Sequence, residues 1–276
     1  MQIKEVLKNT SVMICGRIDK AENNVEKMAG MLEYNKSVLS ACRGVILVLN
    51  RGASVPESDV TAIFDLYRQT FKDCYLLQPH PVGMGHQVGH VTLDKTGYLF
   101  AKNNIGTGYT MKLCNDIMLS EKFLDLEVDQ SDLYYIPSVG INHIADKWNE
   151  VKNISSLTSG YEDLMYNYQS WFFIATNNTP VLYESDEEIE RVFRMWDVKS
   201  DVKQSRVLSA EHSLTKWSVQ NNLTRHSLYS PPEFDNYCKY VMHNRIGDGS
   251  LKNIMIEPHG ITHAHFVNQP FSRMFL

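Results

Sequence analysis

Residues 109–120 read Tyr109-Thr-Met-Lys-Leu-Cys-Asn-Asp-Ile-Met-Leu-Ser120. Tyr109 to Leu113 has the pattern of a short buried strand, which runs into a polar tip at Asn115 and Asp116. Ile117 to Leu124 is then predicted to start a helix. A carboxylate at the end of a buried strand is a site candidate: in open α/β sheets ligands sit beyond the carboxyl ends of the strands, where an acid can hold a divalent cation against phosphates. The competing reading is a helix N-cap, in which Asn115 or Asp116 only satisfies backbone N–H groups of the next turn.

The stretch before it decides between them. Ser11 to Cys15 is a short apolar run ended by Gly16, Arg17 and Asp19. Gly44-Val-Ile-Leu-Val-Leu-Asn50 is the most strand-like run in the chain, and Cys74 to Leu77 gives a third strand. Helical spacing separates them over 23–42 and 56–71 and recurs over 88–102, behind the Gly/Pro loop Pro79 to Gln87. This is β-α-β-α-β followed by the strand at 109, with strands buried on both faces and paired in parallel through right-handed crossovers. Residues 1–125 are therefore expected to form a nucleotide-fold half, and residues 126–276 the irregular α+β remainder of the same α/β domain. In that remainder the patterns predict strands at 134–141, 170–176, 181–184 and 253–257. Helices are expected at 159–167, at 186–196 and at 209–223, the last with Ser209 as N-cap.

Composition is that of an ordinary globular protein, 43% hydrophobic and 21% charged. There is no run of 18 or more apolar residues, and Met1-Gln-Ile-Lys-Glu-Val-Leu-Lys8 is too charged for a secretory signal, so a cytoplasmic protein is expected. Cysteines 15, 42, 74, 114 and 238 show neither zinc nor thioredoxin spacing and read as reduced thiols. The net charge of −5 is uneven: residues 191–276 carry eleven Lys+Arg against seven Asp+Glu. That excess suggests an anionic ligand or partner, or else a scatter of solvated cations.

In this order the chain resembles the GT-A glycosyltransferases, of the small kind that builds lipopolysaccharide or capsule and occurs in phage genomes. The resemblance rests on the strand end Gly16-Arg-Ile-Asp19, the helix Gly85-His-Gln-Val-Gly-His-Val-Thr-Leu-Asp-Lys-Thr-Gly-Tyr-Leu-Phe-Ala-Lys102, and the strand of 109–120. It implies a nucleotide-sugar donor, with UDP favoured, and a Mn²⁺ or Mg²⁺ ion held by Asp116. The usual Asp-x-Asp needs a carboxylate at position 114, where this chain has Cys114, so Asp116 needs a distant helper. By the same resemblance a histidine near the C-terminus completes the metal site. His263 and His265, which share a face on a strand, and His259 are the candidates, against polar packing as the alternative.

For the donor, Arg17 and Asp19 are placed for base and ribose, Gly85, which opens the quoted helix, for the nucleotide, and Asn115 for sugar or ribose hydroxyls. Lys112 needs a partner in a buried strand, either a phosphate or Asp116, unless it snorkels at a strand edge. Glu211 is the candidate general base, with His212 beside it and the Glu162–Asp163 pair as a second choice; a helix dipole equally favours a glutamate there. The acceptor is expected to be a glycan or a hydroxymethylated base in phage DNA, flipped from the stack. The alternative from another class is a nucleotide-fold binding or assembly protein without turnover. A hydrolase or deaminase built on the C-terminal histidines lacks the Cys pairs and His-x-Glu spacing of such zinc sites.

Overall fold

The computed structural model describes residues 1–18, 24–79, 88–137, 168–183, 213–229, 255–256 and 259–263. Its first half alternates strand and helix: α1 (Ile3–Leu7), β1 (Thr10–Ile18), α2 (Asn24–Ser40), β2 (Gly44–Arg51), α3 (Glu57–Thr70), β3 (Cys74–Leu77), α4 (Val88–Phe100) and β4 (Tyr109–Cys114). The short strand β5 (Ile117–Leu119) follows, then β6 (Leu133–Pro137), β7 (Tyr168–Thr176), β8 (Arg225–Ser227), β9 (Met255–Ile256) and β10 (Ile261–His263). A helix over residues 213–220 precedes β8.

Among the described residues, seven strands form one sheet in the order β3-β2-β1-β4-β7-β6-β8, and β5-β10-β9 form a second. β1 pairs in parallel with both β2 and β4, and β2 with β3; β7 runs antiparallel between β4 and β6. The chain thus steps outward from β1 to β3 and returns to the other side of β1 with β4. The reversal makes the carboxyl ends of β1 and β4 the topological switch point, the place at which ligands bind in open α/β sheets.

The central strands β1, β2 and β4 are buried on both faces, with side chains alternating between the two cores. Val12, Ile14, Val45, Leu47, Met111 and Leu113 join the core under α1, α2 and α3. Met13, Cys15, Ile46, Val48, Phe173 and Ala175 join the core under α4 and the helix over 213–220. Each fully buried aliphatic chain contributes about 1.5–3 kcal/mol, which is why continuous apolar runs become central strands. Gly97 lets α4 sit directly on the sheet, since a Cβ there would lie 2.8 Å from Met13 Sδ and 2.9 Å from Val48 Cγ2.

Several boundaries depart from the sequence expectation. Ile117–Leu119 is a strand and not the start of a helix; only Glu121–Asp125 turns, as a 3₁₀ helix. The cause is Asn35 of α2, fully buried, whose side chain donates to Ile117 O at 3.0 Å and accepts from Leu119 N at 2.5 Å. These bonds, with pairing to β10, hold the backbone extended. Residues 181–183 form no strand, because Tyr183 adopts a left-handed φ of 64°. α4 runs on into a π-turn, Ala101–Ile105, before Gly106 closes it. The expected helices at 159–167 and 186–196 lie outside the described residues, as does Cys238; Cys15, Cys42, Cys74 and Cys114 are free thiols. No described helix is long and apolar enough to cross a membrane.

Candidate functional site

The switch point gathers three strand ends. β1 closes on Gly16, Arg17 and Ile18, in register with Leu49, Asn50 and Arg51 of β2, and Gly52 N donates to Ile18 O at 2.9 Å. Arg51 is occupied locally, donating to Val55 O at 2.6 Å and meeting Glu57 at 3.1 Å. On the other side of β1, Cys114 is in register with Cys15, and the chain then turns through Asn115 and Asp116 into β5. The tip is therefore a tight strand-to-strand turn at a sheet edge. A helix N-cap is not what these residues form, since no α-helix follows.

Asn115 is fixed to β1. Its backbone N–H donates to Cys15 O at 3.1 Å and its side-chain amide donates to Arg17 O at 3.3 Å. The amide lies across Gly16, where a Cβ would meet Asn115 Cγ at 2.5 Å. Any larger residue at 16 would push the tip outward, so Gly16 and Asn115 together set where Asp116 stands.

Lys112 has a partner that the sequence reading did not name. β4 is central, the side chain is completely enclosed, and its ammonium donates to Asp94 of α4 at 2.5 Å. A cation inside a sheet–helix layer costs several kcal/mol unless a carboxylate accompanies it, and Asp94 meets that need from the helix above. Burial works against the ammonium, yet Asp94 with the Cys114 and Cys15 thiols outweighs it and holds the Lys112 proton more tightly than usual. The snorkelling alternative is excluded by the same burial.

Cys114 stands where the resemblance would put a carboxylate. Burial first, then Asp116 and Asp94, push its thiol up to about 12, against the pull of Lys112, so it is a neutral group at physiological pH. Among the described residues no group of three or more His, Cys, Asp or Glu is arranged to hold a metal ion.

The C-terminal segment returns to this tip. β10 lies antiparallel to β5, with His263 opposite Ile117, Thr262 opposite Met118 and Ile261 opposite Leu119. The backbone of His263 is thus one register step from Asp116. His259 sits at the preceding turn, its ring 5.8 Å from that of Tyr229. Asp19, Gly85, Glu162, Asp163, Glu211, His212 and His265 lie outside the described residues; Ser213, the first described residue after Glu211 and His212, is fully buried.

Sequence reading missed Asn35 and Asp94. Both carried a signal: each is a polar residue on the apolar stripe of its helix, Asn35 at four and seven residues from Met31 and Met28, Asp94 at four and seven from Tyr98 and Ala101. A polar side chain on such a stripe needs a buried partner, and here the partners are β5 and Lys112.

No protein-family model matches the chain, and no curated protein does. Solved structures match its fold. A crystal structure of an active-site mutant of LgtC is 10% identical with a TM-score of 0.50, the match covering 94% of this chain and 89% of that one. The galactosyltransferase LgtC in complex with donor and acceptor sugar analogues is 7% identical with a TM-score of 0.49, covering 93% and 87%. The bifunctional glycosyltransferase WbbM is 6% identical with a TM-score of 0.41, covering 73% and 37%. The architecture is the GT-A glycosyltransferase fold, a mixed α/β structure with a mostly parallel seven-stranded sheet flanked by helices.

Proposed function

We propose that this chain is a glycosyltransferase that moves a sugar from a nucleoside-diphosphate sugar, by resemblance a UDP-sugar, to an acceptor hydroxyl. One observation carries the reading within the shared fold: at the switch point, Asp116 and the distant His263 come to neighbouring backbone positions through β5 and β10. Arg17 and Asn115 stand at the same strand ends, on β1 and at the tip.

The donor set fits a divalent cation, Mn²⁺ or Mg²⁺, of a particular kind. One carboxylate and one imidazole suit an ion that takes its remaining ligands from water and diphosphate oxygens, and not a cage built from protein alone. Bound there, the ion would act as a Lewis acid toward the departing nucleoside diphosphate. Asp116 and His263 orient that end of the donor, and Glu211, in the acceptor part of residues 126–276, takes the proton of the acceptor hydroxyl if the anomeric centre inverts. The acceptor is a glycan or a hydroxymethylated base in phage DNA, and a cytoplasmic setting fits both.

The second reading, a nucleotide-fold binding or assembly protein without turnover, draws on Cys114, a neutral thiol at the place of the usual first carboxylate. A screen of UDP-, GDP-, CDP- and TDP-sugars by thermal shift and by release of nucleoside diphosphate in Mn²⁺ separates the two. Transfer is supported by sugar-dependent release that Asp116→Ala abolishes in a folded protein. Release that persists unchanged in Asp116→Ala or in excess chelator counts against it, and binding without release favours the second reading. Glycans and duplexes bearing hydroxymethylated bases, each assayed for a mass increase, distinguish the acceptors.

A further inference from the structure

A second polar cluster lies inside the protein, between α4 and the sheet. Asp94 of α4 is fully buried, and its Oδ2 accepts from Lys112 Nζ at 2.5 Å and from the phenol of Tyr183. The three residues come from three elements: the helix behind the Gly/Pro loop, the strand that ends at the Asn115–Asp116 tip, and the segment that follows β7. Lys112 also lies opposite Phe173 of β7, its ammonium 5.8 Å from the ring centroid.

The segment after β7 is a strap. Asn177 is tied to the turn before β4, accepting from Thr110 Oγ1 at 2.7 Å and donating to Thr107 O at 2.9 Å. Thr179 O accepts from Lys102 at 2.5 Å, and Tyr98 OH donates to Thr176 O at 2.7 Å. Val181 O accepts from the indole of Trp217, at 2.8 Å, on the helix over 213–220. Tyr183, the last described residue of this segment, is fully buried and held at φ 64°, a conformation costly for a tyrosine and kept only where surrounding contacts over-determine it. The bond to Asp94 is one such contact. Two apolar neighbours, Leu182 and Leu214, continue the same core.

We infer that Asp94 is a positioning residue: by holding Lys112 and Tyr183 on one carboxylate oxygen, it sets the strap and the helix over 213–220 against the strand that carries Asp116. In functional terms this rests on the glycosyl-transfer reading, in which Glu211, two residues before Ser213 in the sequence, must meet a donor held at Asp116. A buried cation–carboxylate pair between two layers is a poor source of stability but can specify a register, and here it specifies the register of the acceptor side against the donor side.

The test uses hydrogen exchange and turnover on the full chain with two variants, Tyr183→Phe and the charge-neutralising pair Lys112→Met with Asp94→Asn. Asparagine keeps an acceptor for the tyrosine, so the pair leaves no unpaired charge in the core. With Tyr183→Phe, exchange over 177–183 and 213–223 is expected to accelerate about ten- to a hundredfold, the effect of losing a hydrogen bond to a charged group, while β1 and β2 keep their protection. The neutral pair accelerates the same two segments less, and adding Tyr183→Phe to it gives less than the product of the two effects. Exchange unchanged at 213–223, or accelerated equally in β1 and β2, overturns the inference.

With a UDP-sugar in Mn²⁺, Tyr183→Phe should lower kcat about tenfold with donor KM within about twofold, the split expected when the acceptor side alone is displaced. Equal loss in Asp116→Ala and Tyr183→Phe through donor KM overturns that functional half. If the wild-type chain turns over no nucleotide sugar, the transfer reading fails, and the exchange result alone decides whether Asp94 positions the two layers.

Discussion

The amide of Asn115 lies directly on the Cα of Gly16, so close that a Cβ at position 16 would stand 2.5 Å from Asn115 Cγ. The tip of one strand is thus seated on the bare backbone of its neighbour, and the only carboxylate of that tip, Asp116, follows in the next position.

Gly16→Ala is therefore expected to cost about 1–3 kcal/mol by forcing the amide off its seat and breaking its bond to Arg17 O. The double variant Gly16→Ala with Asn115→Gly should recover part of that loss, because the Cβ, Cγ and Nδ2 atoms that a Cβ at 16 would meet all go with the side chain. Urea denaturation of the wild type, the two single variants and the double checks it; losses that simply add would refute the contact.

Lys112→Ala leaves Asp94 charged, buried and without its ammonium. The expected cost is about 3–5 kcal/mol, whereas Lys112→Met with Asp94→Asn should recover at least about half of it, since both charges go together. Chemical denaturation midpoints at neutral pH decide between this and a surface-like pair, for which Lys112→Ala would cost little.

Asn35→Ala strands two buried backbone groups, Ile117 O and Leu119 N. At about 1–3 kcal/mol each, the loss is about 2–6 kcal/mol. Amide exchange at Leu119 should accelerate in step with it, because this side chain holds β5 in the extended form that meets β10. Full protection at Leu119 in the variant would show that β10 alone suffices.

Stability should fall as pH rises above 9. Burial, with Asp94 next, pushes the Cys15 thiol well above its ordinary 9.0 and the Tyr183 phenol well above 10.0. Lys112 stands above its ordinary 10.5. Each group holds its proton more tightly folded than unfolded, so its contribution is complete below those ordinary values and is lost as pH climbs through and beyond them. Melting temperatures should be level in this respect between pH 7 and 8.5 and then decline, more steeply past pH 10; a rise over that interval contradicts the burial of these groups. Tyr183→Phe should flatten the part of the decline above pH 10.

The first-half fold was legible because each of its elements is a local pattern. Gly44 to Asn50 is a continuous apolar run and became the buried β2; Cys74 to Leu77 became β3 without change of bounds. Val60, Ile63 and Tyr67 share one helical face and are the buried residues of α3. Where a distant residue intervened, the pattern misled. Ile117 to Leu124 has helical composition, but Asn35 reaches its backbone from α2 and keeps the first three residues extended. Val181 to Tyr183 has strand composition, but Trp217 and Asp94 bend it into a strap.

By itself the sequence determined the alternation of strands and helices, the burial of both sheet faces and the position of a polar tip after the fourth strand, since these follow from side-chain period and turn chemistry within a few residues. Only the tertiary structure decided what the tip is and what surrounds it. Lys112 faces Asp94, Asn115 rests on Gly16, and His263 comes to the register step beside Asp116. Each pairing joins segments far apart in the chain, and a buried charge or an unpaired backbone group takes whichever partner the packed layers bring to it.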